Sequence, residues 1–75
     1  MGRVSNYWEV GGDIYHNEPD SPTMTVAKIQ NSYNNKPSQS EAETALRNRW
    51  DYSYGSYPNR RPTRIDVNNI SWVSS

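Results

Sequence analysis

His16 is the only histidine in the chain, and two carboxylates, Glu18 and Asp20, follow it at alternate positions. In an extended segment all three side chains point the same way, an arrangement that could hold a metal ion or serve general acid–base chemistry. Pro19 separates the two carboxylates, and nothing around His16 resembles a Ser–His–Asp motif. Glu41 and Glu43 are accounted for by a helix start, as shown below. Gly11-Gly12 matches no phosphate-binding loop. The chain has no cysteine, which removes thiol nucleophiles, Cys-based zinc sites, iron–sulfur clusters and disulfides. A chain of 75 residues also has little volume for a pocket beside its own core. The expectation is a non-enzymatic protein with no metal, no cofactor and no catalytic residue.

A second grouping is richer. Arg47, Arg49, Arg60, Arg61 and Arg64 fall within residues 47–64, opposed there only by Asp51, and Trp50, Tyr52, Tyr54 and Tyr57 are interleaved with them. Arginine with tyrosine and tryptophan is the composition of protein–protein hot spots. It is also that of platforms for single-stranded nucleic acid, where aromatic rings stack on bases and arginines hold phosphates. The total charge separates the two. Glu9, Asp13, Glu18 and Asp20 form an acidic stretch that brings the formal net charge to zero. Binders of polyanions gain affinity by releasing counterions and are usually strongly basic, whereas a protein partner can use patches of both signs. The expected function is therefore protein binding, with Trp50, Tyr52, Tyr54, Tyr57, Arg60, Arg61 and Arg64 as partner-binding candidates. Nucleic-acid binding through the same segment is the weaker alternative.

The elements that position these groups follow from periodicity. In residues 7–16, Trp8, Val10, Ile14 and His16 share one face and Tyr7, Glu9, Asp13 and Tyr15 the other, the period of a strand. Gly11-Gly12 marks a bulge, bend or turn within it; one bent strand is favoured over a hairpin. Asn17 to Pro22, with two prolines among Asn, Asp and Ser, is a turn. A second strand over about 23–30 places Met24 and Val26 on one face and Ala27 and Ile29 on the other. Such a strand is either partly covered on both faces or shifted by a bulge near Val26. Ser38…Glu41 and Ser40…Glu43 both fit a capping box, so a helix starts near residue 39. Ala42, Ala45, Leu46 and Trp50 give it one apolar stripe, and it is expected to end near Trp50, with Arg47 and Arg49 in its last turn. Residues 51–62 read as irregular. A last strand over about 63–73 alternates through Ile65 and Val67, then changes phase at Asn68-Asn69 before Ile70 and Trp72, the pattern of a β-bulge.

The expected fold is one small α+β domain over residues 1–75. Its order is β-β-α-β, with a three- to four-stranded, mainly antiparallel sheet and one helix packed on one face. Ile, Leu and Val number only ten and there is no Phe, so three Trp and six Tyr must supply much of the core. No apolar run approaches a membrane span and Met1 to Val10 has no signal-peptide character, so no membrane is expected as partner. A secreted domain this small would usually carry disulfides or a metal, so a cytoplasmic location is expected.

The outline formed by Ala42…Leu46…Trp50 and the closing Ile65…Val67…Trp72 strand resembles small phage accessory proteins that bind and inhibit host machinery. It is also loosely similar to a small archaeal protein of the large ribosomal subunit. The first resemblance implies a host protein as partner and the host cytoplasm as location, and neutral charge fits it better than the second. A thin core and an exposed strand edge leave a homo-oligomer or a virion decoration role open.

Overall fold

The computed structural model describes residues 6–16 and 22–74. The Pro-rich turn, with Glu18 and Asp20, lies outside the described residues. The order is β1 (Tyr7–His16), β2 (Pro22–Ile29), α1 (Gln39–Tyr54), a short 3₁₀ turn (Pro58–Arg60) and β3 (Pro62–Val73). The three strands form one antiparallel sheet in the order β2-β1-β3, and α1 lies across one face. The α+β architecture matches the expectation, with three strands among the described residues.

Gly11 and Gly12 do not end β1. The strand runs through them unbroken, and the irregularity falls on its partner. Gly11 faces Asn69 and Gly12 faces Val67, so Asn68 is the extra residue of a bulge. That bulge brings Ile65 and Val67 onto the same face as Ile70 and Trp72, which resolves the phase change seen in the sequence. A second shift leaves Thr63 between the Tyr15–Arg64 and His16–Pro62 pairs, and its hydroxyl donates to the Tyr15 carbonyl at 3.1 Å. β2, by contrast, pairs with β1 in unbroken register. No bulge lies near Val26. Met24 and Val26 are simply exposed, because the face they occupy is the one α1 does not cover.

The core lies between α1 and the sheet. Val10, Ile14, Ala27, Ala42, Leu46 and Trp50 are buried, with Ile29, Ala45, Tyr54, Ile65, Val67 and Ile70 packed around them. Gly12 sits directly under the helix. A Cβ there would lie 3.0 Å from Leu46 Cδ1 and inside the van der Waals radius of the Asp66 carbonyl. The missing side chain is what lets α1 approach the sheet.

The helix start is decided in favour of Ser38. Its hydroxyl accepts from the Glu41 amide at 3.2 Å, and its own amide donates to the Glu41 carboxylate at 2.8 Å, a complete capping box. The helix end differs from expectation. It continues four residues past Trp50 to Tyr54, because Tyr54 extends the Ala42–Leu46–Trp50 stripe by one more turn and packs on Trp50 with ring centroids 4.5 Å apart. Arg47 and Arg49 therefore sit in mid-helix, and the last turn carries no basic residue. Tyr52 and Tyr54 belong to the helix, not to an irregular stretch.

Candidate functional site

Segment 47–64 begins on the exposed side of α1 and returns to the sheet through the 3₁₀ turn. The backbone closes on itself at each step: the Gly55 amide donates to the Asp51 carbonyl (2.8 Å), Tyr57 to Tyr54 (3.0 Å) and Arg60 to Tyr57 (3.0 Å). Trp50 anchors the arrangement from below. Its indole N–H donates to the Arg60 carbonyl at 2.7 Å, and its ring stacks on His16 at 5.3 Å. Aromatic packing then continues upward, from Trp50 to Tyr54 and from Tyr54 to Tyr57 at 6.2 Å, with the Arg60 guanidinium 5.2 Å from the Tyr54 ring centroid. Stacks and cation–π contacts of this kind hold amphipathic side chains in place at low entropic cost. The outcome is a braced lobe made from residues with few aliphatic neighbours.

The lobe sorts the candidates. Trp50 is 2 % exposed and is a core residue, so its place is beneath the surface that the others form. Tyr54 is half-buried. Tyr52 is 88 % and Tyr57 54 % exposed, and Arg60 and Arg61 are exposed as well. Arg49, whose guanidinium lies 5.9 Å from the Tyr52 ring centroid and donates to the Ser53 hydroxyl at 2.9 Å, joins this surface. Arg47 and Arg61 line the two sides of an open hollow of about 540 Å³ that also includes Asp51 and Pro62. The neighbouring hollow beside Tyr57 and Arg60 holds about 230 Å³, and both hollows lie open to solvent where small-molecule sites usually enclose their ligand. The surface suits side chains of a macromolecule better than a buried small ligand.

Arg64 is separated from the others. It lies on the sheet face opposite α1, with its guanidinium 4.1 Å from the Tyr15 ring centroid and 3.2 Å from the Asp66 carboxylate. The Tyr15 side chain, and after it the Asp66 charge, raise its already high pKa further. Arg64 is thus joined to the open sheet face, where Tyr7, Glu9, Asp13 and Tyr15 also project. The acidic and basic stretches of the sequence separate only in part: Glu9, Asp13 and Asp66 share the open sheet face with Lys28 and Arg64, and Arg47, Arg49, Arg60 and Arg61 lie around the helix and its lobe together with Asp51. Asp13 and Asp66 stand directly opposite each other on β1 and β3.

His16 faces inward. It is buried, its Nε2 lies 3.3 Å from the Thr23 hydroxyl, and its Nδ1 is buried without a hydrogen-bond partner among the described residues. Two features escaped sequence reasoning. One is a second aromatic cluster of Trp8, Tyr33 and Trp72 at the other end of the sheet, where the Trp8 indole donates to the Ser32 carbonyl at 2.9 Å. It ties down loop 30–37 as Trp50 ties down the lobe, and Tyr33 in an otherwise polar loop was its only trace. The other is the row of hollows beside β2, described below, which depends on where the helix lies. No described helix is long and apolar enough to cross a membrane.

Comparison with protein-family models, curated proteins and solved structures finds no match to this chain.

Proposed function

We propose that the chain is a small non-enzymatic module that docks on an acidic protein surface through the lobe at the C-terminal end of α1. Tyr52, Tyr57, Arg49, Arg60 and Arg61 make the contact, and Trp50 and Tyr54 hold it in shape. The observation that carries this reading is the pairing of exposure with bracing. Tyr52 and Tyr57 stand out into solvent, yet the segment bearing them is closed by the Trp50–Arg60 hydrogen bond and three backbone bonds. A braced Tyr/Arg surface binds at lower entropic cost than a free loop. Arg47, Arg60 and Arg61 line hollows that also include Asp51, and their excess of positive charge gives the patch its preference for carboxylates. Inhibition or modulation of a host protein by a phage-encoded chain is one setting in which such a module acts.

The test is capture from nuclease-treated lysate of the encoding organism, with the wild-type chain and a Tyr52→Ala, Arg60→Ala, Arg61→Ala variant whose fold is checked by circular dichroism. A protein recovered by the first and lost by the second supports docking through the lobe; equal recovery refutes it. Salt-dependent binding of single-stranded oligonucleotides, lost in the same variant, would instead select the nucleic-acid reading.

A further inference from the structure

Among the described residues β2 and β3 are both edges of the sheet, but they are not equivalent. β3 carries two register shifts, at Thr63 and Asn68, features that discourage pairing by another chain. β2 is a regular strand, and its only proline is its first residue. Its outer side is also not flush with the helix. Three open hollows follow one another between residues 23–29 of β2 and α1, with volumes of about 370, 510 and 330 Å³. Together they run along the helix from Glu41 to Tyr54, about 20 Å at 1.5 Å per residue. That length matches roughly six residues of extended chain at 3.3 Å each.

We propose that this groove is a strand-addition site: an extended acidic peptide segment of a protein partner pairs with the free edge of β2 and lies beneath α1. The proposal rests on the protein-binding reading above and names how the partner engages. The chemistry of the walls selects the occupant. Ala27 on the strand and Ala45 on the helix face the middle hollow, and their small side chains leave room for an aliphatic residue of the incoming strand. Arg49 lines two of the three hollows. Glu41 is the carboxylate at the far end. An incoming segment thus meets its best partner with an acidic residue toward Arg49, while backbone pairing gives the rest of the affinity. A second copy of this chain fits less well. Pairing β2 with itself about Thr25 would bring the two Arg49 guanidinium groups toward each other near the two-fold axis.

The experiment uses the full chain, labelled with nitrogen-15, and a capped hexapeptide probe of sequence Val-Thr-Val-Glu-Val-Thr. A Lys-for-Glu version and an alternately N-methylated version that cannot complete the backbone pairing serve as controls. Expected are chemical-shift changes and slowed amide exchange along residues 22–29, and no binding of the N-methylated peptide. The Glu peptide should bind about two- to five-fold more tightly than the Lys peptide, as for a partly exposed ion pair. Arg49→Glu should invert that preference. Equal binding of the N-methylated peptide, or shifts confined to other parts of the protein, would overturn the proposal, and neither depends on a variant folding. Concentration-dependent protection of β2 without peptide would overturn it too, by assigning the edge to a second copy. A Tyr57→Ala, Arg60→Ala, Arg61→Ala variant keeps peptide binding, because those side chains lie outside the groove. Failure of the lobe and failure of the groove are therefore separate results.

Discussion

Replacing either glycine of the Gly11-Gly12 pair by alanine tests the account of how the helix meets the sheet. The two positions are adjacent in sequence and opposite in environment. At Gly12 an added methyl group would lie 3.0 Å from Val67 Cα and 3.0 Å from Leu46 Cδ1, and closer still to the Asp66 carbonyl oxygen. Two of those three neighbours are backbone atoms of β3 and cannot rotate away. Overpacking of a core commonly costs about 1–3 kcal/mol, and backbone neighbours put Gly12→Ala at the upper end, about 3 kcal/mol. At Gly11 the nearest atoms to an added methyl are 3.7 Å or more away. Gly11→Ala is expected to be neutral or to stabilise by about 0.4–1 kcal/mol, through the lower entropy of the unfolded chain. A chain of 75 residues is stable by only about 4–11 kcal/mol at typical values per residue. The Gly12 change should therefore lower the melting temperature by about 12–24 °C, at 4–8 °C per kcal/mol. Urea unfolding followed by tryptophan fluorescence measures both variants on one scale. Equal destabilisation of the two, or a Gly12→Ala variant within about 0.5 kcal/mol of wild type, would show that α1 does not rest on Gly12 as described.

Trp50→Phe keeps an aromatic ring but removes the donor to the Arg60 carbonyl and some buried volume; a loss of at least about 1–3 kcal/mol is expected, with faster amide exchange over residues 57–61 than in wild type. Asp13→Thr removes the like-charge partner directly across from Asp66 and should raise stability by about 0.2–1 kcal/mol in urea titration; a loss would show that Asp13 has a favourable partner. For Arg64 the sign is set by its raised pKa. Its contribution is complete below the unfolded-state value and is lost only as pH climbs through the higher folded-state value, far above neutrality. The difference in melting temperature between wild type and Arg64→Gln should therefore be constant from about pH 6 to pH 9.

Much of the architecture is legible in the residues, because the relevant forces act over short stretches. Alternation of Trp8, Val10, Ile14 and His16 marks a strand with one buried face, the Ser38–Glu41 box marks the helix start, and the phase change at Asn68-Asn69 marks a bulge. The helix end was not legible from aliphatic spacing, since the residue that extends it is Tyr54, and a tyrosine reads equally well as surface or core until its neighbour Trp50 is placed. The candidate surface was only partly legible. Composition points to Tyr and Arg in residues 47–64 but does not separate Trp50, which is buried, from Tyr52, which is exposed.

By itself, then, the amino-acid sequence determined the kinds of element, their order, and the aromatic character of the core, since these depend on local hydrogen bonding, side-chain period and apolar content. Tertiary structure alone decided which residues of β2 and β3 join the face that the described helix leaves uncovered. That choice leaves Met24 and Val26 in solvent, divides Arg64 from Arg60 and Arg61, and opens the groove beside β2. The physical reason is that one apolar stripe can cover only one face of a three-stranded sheet, and which residues share the uncovered face depends on strand register set between segments far apart in the chain.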